Sequence, residues 1–253
     1  MNSIGIYTLC KREIWRFLKV WNQTVVAPVV TTLLFLAVLV LAMGGQERVI
    51  EGLAYSQFVA PGLIMMAIVQ NAFANTSSSL MLAKIQGVII DILMPPLSAG
   101  EVVFSMVVGG VVRGLMVGVV VMASVYIFVP FSMHHAGLGL FHVVAASAML
   151  ALLGMLTGVW SQTFDQLSAV TNYIITPLAF LSGTFYSIQH LPEFWRGICH
   201  YNPFFYMIDG FRYAITGTTD GGIMTGIFVM LGMNLALWCV TVWLFNRGTR
   251  LKS

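Results

Sequence analysis

The chain has 253 residues, 58% of them hydrophobic and only 8% charged, with a mean hydropathy of +0.90. A water-soluble domain carries roughly 25% charged residues, so this composition excludes one and describes a polytopic membrane protein with little room beyond its spans. The net charge of +3 gives no reason to invoke a nucleic-acid partner, and where the charge sits matters more than its size.

Residues 1–23 form the first element. Ile4, Tyr7, Ile14, Phe17, Leu18 and Trp21 recur at helical spacing, and Lys11, Arg12, Arg16 and Lys19 fill the positions between. The pattern predicts an amphipathic helix on the inner leaflet with its cations near anionic head groups. A positive flank that only sets topology is the plainer alternative. Charges spread over Lys11–Lys19, and a long apolar run after them, argue against a signal peptide.

Uncharged apolar runs follow at residues 24–43, 57–80, 102–129, 138–164, 167–188 and 223–245, the third broken only by Arg113. Each is long enough to cross the hydrocarbon core, which takes about 20 helical residues. Lipid offers no partner to a free amide, so these runs read as six transmembrane helices. Little more than Asp165 separates the fourth from the fifth, which predicts a tight helical hairpin. With the N-terminus inside, the cytoplasmic side holds Lys11, Arg12, Arg16, Lys19, Lys84, Arg247, Arg250 and Lys252, and the outer side Arg48, Arg196 and Arg212. That imbalance puts both termini in the cytoplasm.

Residues 83–101, AKIQGVIIDILMPPLSAGE, make the longest inner loop. Ile85, Val88, Ile89, Ile92 and Leu93 share a helical stripe that Pro95-Pro96 terminates, because proline lacks the amide donor and clashes with the preceding turn. Such an inner amphipathic helix offers a docking surface to a cytoplasmic partner; a connector without a partner is the alternative. Gly110, Gly114 and Gly118, with Gly154 and Gly158, form small-residue seams that let helix backbones approach, within one chain or between two.

Residues 182–217 are too rich in proline, glycine, histidine and charge for a span, and too aromatic for a solvated loop. Aromatic rings with polar edges favour the membrane interface. Leu191-Pro192 opens one short helix carrying Phe194 and Trp195, and Asn202-Pro203 caps a second carrying Phe204, Asp209 and Arg212. Asp209 and Arg212 stand three apart, a spacing at which they can pair. The two helices predict an outer re-entrant hairpin over residues 189–217, beside an exit path or acting as a structural plug.

The sequence lacks G-x-x-x-x-G-K-[ST], and none of its four lysines follows a glycine, so it has no P-loop for nucleotide phosphates. G-x-S-x-G, H-E-x-x-H and paired carboxylates within spans are missing too. Cys10, Cys199 and Cys239 show no ligand-like spacing, and His134-His135 lacks a third ligand. No metal or cofactor is therefore expected on this chain. Arg113 is costly in a span unless it is paired, snorkels or faces water, which admits a polar pathway or a structural buried cation.

With these pieces assembled the chain resembles the ABC-2-type permeases, the membrane subunits of ATP-binding-cassette exporters, over essentially its whole length. The resemblance rests on the inner surface helix, on FVAPGLIMM and ANTSSSL, and on the loop ending PPLSAGE. It continues through GGVVRGLMVG and QTFDQLS to TPLAFLSGTFYSIQHLPEFW and NPFFYMIDGFRY, the two most specific blocks. Bacterial inner-membrane permeases of the family are nearest, with nodulation-factor and lipopolysaccharide permeases more distant.

The resemblance implies an all-α fold forming one transmembrane domain over residues 1–253. Residues 1–23 would be a connecting helix, 83–101 a coupling loop and 189–217 the outer hairpin at the gate. It implies a non-catalytic permease in the inner membrane that pairs with a second copy and works with two copies of a separate ATPase holding the ATP. Lys84, Gln86, Asp91 and Met94 would meet that ATPase, and Trp195, Asn202, Pro203, Phe204, Asp209 and Arg212 would border the gate. The expected activity is export of a hydrophobic or lipid/glycan-type substrate. An ion-coupled carrier would favour membrane acids and paired broken helices, and a membrane enzyme would need a nucleophile, metal or acid pair.

Overall fold

The computed structural model describes residues 2–42, 49–50 and 52–248. Met43, which closes the first expected span, and Arg48, Arg250 and Lys252, counted in the charge balance, lie outside them. The helices are α1 (Ser3–Leu18), α2 (Ala27–Ala42), α3 (Tyr55–Ile85), α4 (Ile89–Leu93), α5 (Ala99–Phe128) and α6 (Ala136–Trp160). They continue with α7 (Phe164–Val170), α8 (Thr176–Leu181), α9 (Glu193–Tyr201), α10 (Pro203–Thr216) and α11 (Ile223–Arg247). A two-residue antiparallel ribbon, Val49–Ile50 with Leu53–Ala54, links α2 to α3.

Local signals set the helix ends. Asn2 caps α1 by accepting from the Gly5 amide. Ser98 and Glu101 form a reciprocal capping box at the start of α5, just past the Pro95-Pro96 stop. The second Glu101 oxygen takes the Asn2 amide at 2.9 Å, tying the first residues of α1 to α5.

α3 is the axis of the bundle. Of its most apolar window 83% is buried, against 11% for α2 and for α11, which therefore turn most of their surface to lipid. The seams explain how α5 and α6 meet beside α3. A Cβ at Gly110 would lie 2.7 Å from Ala151 Cβ, and one at Gly114 would lie 2.5 Å from Ser147 Oγ. Both seams are thus spent on contacts within this chain. Thr76 Oγ1 adds a 2.7 Å bond to the Ala151 carbonyl, so the polar ANTSSS stretch is turned inward, away from lipid.

Five helices among the described residues are long and apolar enough to cross a membrane. The fifth expected span, 167–188, takes a different form. Helix runs from α7 through a π-helical turn, Thr171–Ile175, into α8, and stops at Leu181, where Gly183 takes a left-handed conformation (φ +70°). Those 18 residues extend roughly 27 Å. A second π-helical turn, Asn22–Val26, precedes α2.

In the surface helix, Phe17 leaves the expected apolar stripe and packs inward. The face of α1 turned to the bundle is Leu9, Glu13 and Phe17, whereas Ile4, Tyr7, Trp15 and Leu18 are exposed. Over residues 182–217 the two-helix form is present, with Asn202 alone between α9 and α10. Its aromatics divide: Phe194, Trp195 and Tyr201 on α9 are exposed, while Phe204, Phe205, Tyr206 and Phe211 on α10 are core. α10 is thus a buried packing element and α9 the surface one.

Candidate functional site

At the end of the bundle formed by α1, α4 and the last turn of α3, the expected docking loop folds as a short helix between two breaks. Gly87 (φ +71°) ends the chain's run from α3, and Pro95-Pro96 follows α4. Ile89 and Ile92 pack into the core beside Leu9 and Val102, while Ile85, Gln86, Ile90, Asp91 and Met94 face outward. Gln86, Asp91 and Met94 are therefore all exposed within one short stretch, with the exposed Ile85 and Ile90 among them. Lys84 is not part of it. Its Nζ donates to the carbonyls of Gly158 (3.1 Å), Val159 (2.8 Å) and Ser161 (2.6 Å) at the C-terminus of α6.

Beneath α1 lies a polar cluster that sequence reasoning missed. Glu13 is fully buried; its Oε1 accepts from Ser79 Oγ at 2.8 Å and its Oε2 pairs with Arg16 at 3.3 Å. Arg16 also donates to Asn75 Oδ1 (3.0 Å), the Asn75 carbonyl and Ser78 Oγ (3.2 Å). Gly109 of α5 makes room, since a Cβ there would meet the Glu13 side chain at 2.7 Å. One signal was available: a Glu/Arg pair three apart, opposite a span that carries Asn75, Ser78 and Ser79 in an otherwise apolar run.

Between α2, α3 and the run 164–181 opens a groove of about 470 Å³. At the α1 end its walls carry Gln23, Gln70, Asn71 and Thr171; toward the opposite end they become Phe35, Phe180 and Phe185. Among the described residues no charged side chain lines it. Gln23 and Thr171 sit in the two π-helical turns, a form that often marks functional positions. Arg113 stands behind the wall: its Nε and Nη2 donate to Asn71 Oδ1 at 3.3 and 3.0 Å. It is thus paired, through a side-chain amide of α3.

At the other end, Asn202 caps α10 through the Phe204 amide, as its sequence context implies, and also ties back to the Leu178 carbonyl and Ser182 Oγ at 2.8 Å each. Asp209 and Arg212 take separate tasks. Asp209 accepts from Thr219 Oγ1 (2.7 Å) and from the amides of Asp220 (2.9 Å) and Gly221 (3.0 Å), fixing the turn into α11. Arg212 donates to the Gly183 carbonyl at 2.6 Å and lies 4.0 Å over the Phe58 ring. Among the described residues the ion pair that forms is Glu13–Arg16. Asp209→Ala is expected to destabilise the protein by about 1.5–3 kcal/mol, the scale of hydrogen bonds to a charged group, read as a lower unfolding midpoint in detergent. Trp195 stays at the exposed surface of α9, remote in role from these ties. His134 and His135 fasten the α5–α6 loop, both amides donating to the Ala214 carbonyl.

The buried helical axis, lipid-facing outer helices and uncharged groove define a polytopic transport protein. The ABC-2 type transporter family model matches residues 5–216. The chain is also 38% identical over 250 residues to the inner membrane transport permease YadH of Escherichia coli (strain K12), covering 99% of this chain and 98% of that protein. The same values hold for the YadH permease of Shigella flexneri. Nodulation protein J of Sinorhizobium fredii is 22% identical over 207 residues, 81% of this chain and 79% of that protein. The chain belongs to the ABC-2 type transporter family, as a membrane-spanning permease subunit.

Proposed function

We propose that this permease exports an amphipathic substrate, of a hydrophobic or lipid/glycan type, from the cytoplasm across a bacterial inner membrane. ATP is hydrolysed on a separate subunit, present in two copies, and the permease works beside a second copy of itself. The observation that carries the reading is the groove, whose walls grade from neutral amides and hydroxyls to phenylalanine. That gradient suits a molecule with an uncharged polar head and an apolar body, since polar groups lose less on leaving water where hydrogen-bond partners await them. The E. coli relative's description as an inner membrane transport permease supports the location and the class of activity. Both termini are cytoplasmic in this reading, α9 and α10 lie at the outer side, and 164–181 completes a sixth crossing.

The exposed face of Gln86, Asp91 and Met94 is where the ATPase docks, with Ile85 and Ile90 as its apolar contacts. ATP binding on the partner shifts a two-state equilibrium between inward- and outward-open arrangements. Asp91→Arg is expected to abolish or sharply weaken co-purification of an ATP-binding-cassette ATPase while membrane insertion continues, because Asp91 is exposed on a short helix and supports nothing beneath it. Unchanged assembly and unchanged coupled hydrolysis would remove the docking assignment. Transport by this chain alone, in vesicles energised only by an ion gradient, would overturn the ATP-driven reading.

A further inference from the structure

We infer that Lys84 is the positioning residue that passes movement of the docking segment to the helical run 164–181, and so to the groove; this goes beyond the transport reading and rests on it. Lys84 occupies the last turn of α3, three residues before Gly87, where the chain breaks into the docking segment. Its ammonium caps not its own helix but α6, through three carbonyls at residues 158–161. Helix C-termini leave carbonyls unsatisfied and carry a partial negative charge, so a cation is held there by both hydrogen bonding and the dipole.

The two helices beneath this contact approach closely. A Cβ at Gly158 would stand 3.0 Å from Leu80 Cβ and 3.1 Å from the Ser77 carbonyl, so the end of α6 packs closely on α3 one to two turns before Lys84. Beyond Ser161 only Gln162 and Thr163 precede α7, and both are tied to it. The Gln162 amide donates to Gln166 Oε1 at 2.7 Å, and Thr163 Oγ1 accepts from the Gln166 amide at 3.4 Å. A continuous chain of contacts thus leads from Lys84 to Ser161, to Gln166, and along α7 to Thr171 at the groove. A displacement of the docking segment toward or away from α6 reaches the carbonyls at the end of α6, and so that chain of contacts, through the Lys84 ammonium.

The test follows Thr171, which is half-buried at the groove wall. A Thr171→Cys chain, with Cys10 and Cys239 replaced and the buried Cys199 kept, is reconstituted in nanodiscs with its co-purified ATPase. It is then labelled by a water-soluble maleimide, nucleotide-free and after trapping with ATP and vanadate. With Lys84 present the two labelling rates are expected to differ by about fivefold or more, the lower range of ordinary coupling between sites. Lys84→Met, which keeps the apolar stem and loses the donors, should still bind the ATPase and label at one rate in both states. Lys84→Arg should restore the difference, which a simple need for packing volume would not require. Should the methionine chain fail to insert, Lys84→Gln, with a shorter donor, is expected to lose most of the difference. Equal responses in the lysine and methionine chains, or no response with Lys84 and the ATPase bound, would overturn the role of Lys84 alone. Failure of any ATPase to co-purify with the Lys84 chain would overturn the transport reading and this inference with it.

Discussion

Glu13→Ala is expected to lower stability by roughly 3–5 kcal/mol, the cost of breaking a buried pair and leaving its partner charge uncompensated. Glu13 is fully buried, whereas Arg16 keeps 24% of its side chain exposed, so water compensates it in part once the carboxylate is gone. The lower part of that range applies, because Arg16 keeps Asn75 and Ser78 as acceptors, whereas Ser79 loses the acceptor that it has among the described residues. Arg16→Ala alone should cost a comparable amount, since it strands the carboxylate against α3. The double change should cost less than the sum of the two, as partners in one network do not add. Thermal unfolding of purified chains in a single detergent measures all three. A loss under about 1 kcal/mol for either single change, the scale of exposed pairs, would mean that α1 lifts away from α3 and the cluster is solvated. The functional consequence follows from position: the cluster joins α1 to the same end of α3 that carries the docking segment.

The bundle was largely legible because its signals are local. Span length and hydropathy located α2, α3, α5, α6 and α11, and Asn202-Pro203 and Pro95-Pro96 marked helix boundaries by their own chemistry. The glycine seams announced close packing but not with whom, since Gly114 reads the same whether its neighbour is Ser147 or another chain. What stayed hidden depends on partners far along the sequence. Nothing beside Lys84 indicates that its ammonium ends at residues 158–161, more than 70 positions away. Glu13 sits among cations that suit a membrane surface, so its burial shows only once α3 presents Ser79 to it. The groove draws on three helices, and its π-helical turns at Asn22 and Thr171 have no residue signature of the kind that caps and prolines provide. The aromatics of α10 were misread for a related reason: composition says where rings are welcome, not which helix is covered by α6 and α11.

Gly154→Ala is expected to destabilise by about 1–3 kcal/mol, the range for forcing atoms into a packed core, although alanine is the better helix former. Propensity alone predicts a gain of up to about 1 kcal/mol for this change in a helix interior, so the two effects have opposite signs and packing decides. A Cβ at Gly154 would collide with Thr76 Oγ1 and stand 2.5 Å from the Phe73 carbonyl oxygen. Thr76 can rotate only by giving up its bond to the Ala151 carbonyl, and Phe73 presents backbone, which cannot yield without moving α3 itself. Gly137, near the start of the same helix, supplies the control: nothing lies within 4 Å of the Cβ it would gain. Gly137→Ala should therefore be neutral or slightly stabilising, and the two variants should separate by several degrees in unfolding midpoint. If Gly154→Ala matched Gly137→Ala, α3 and α6 would not cross backbone to backbone. The joint that sets the Lys84 contact against the end of α6 would then be looser than its geometry requires.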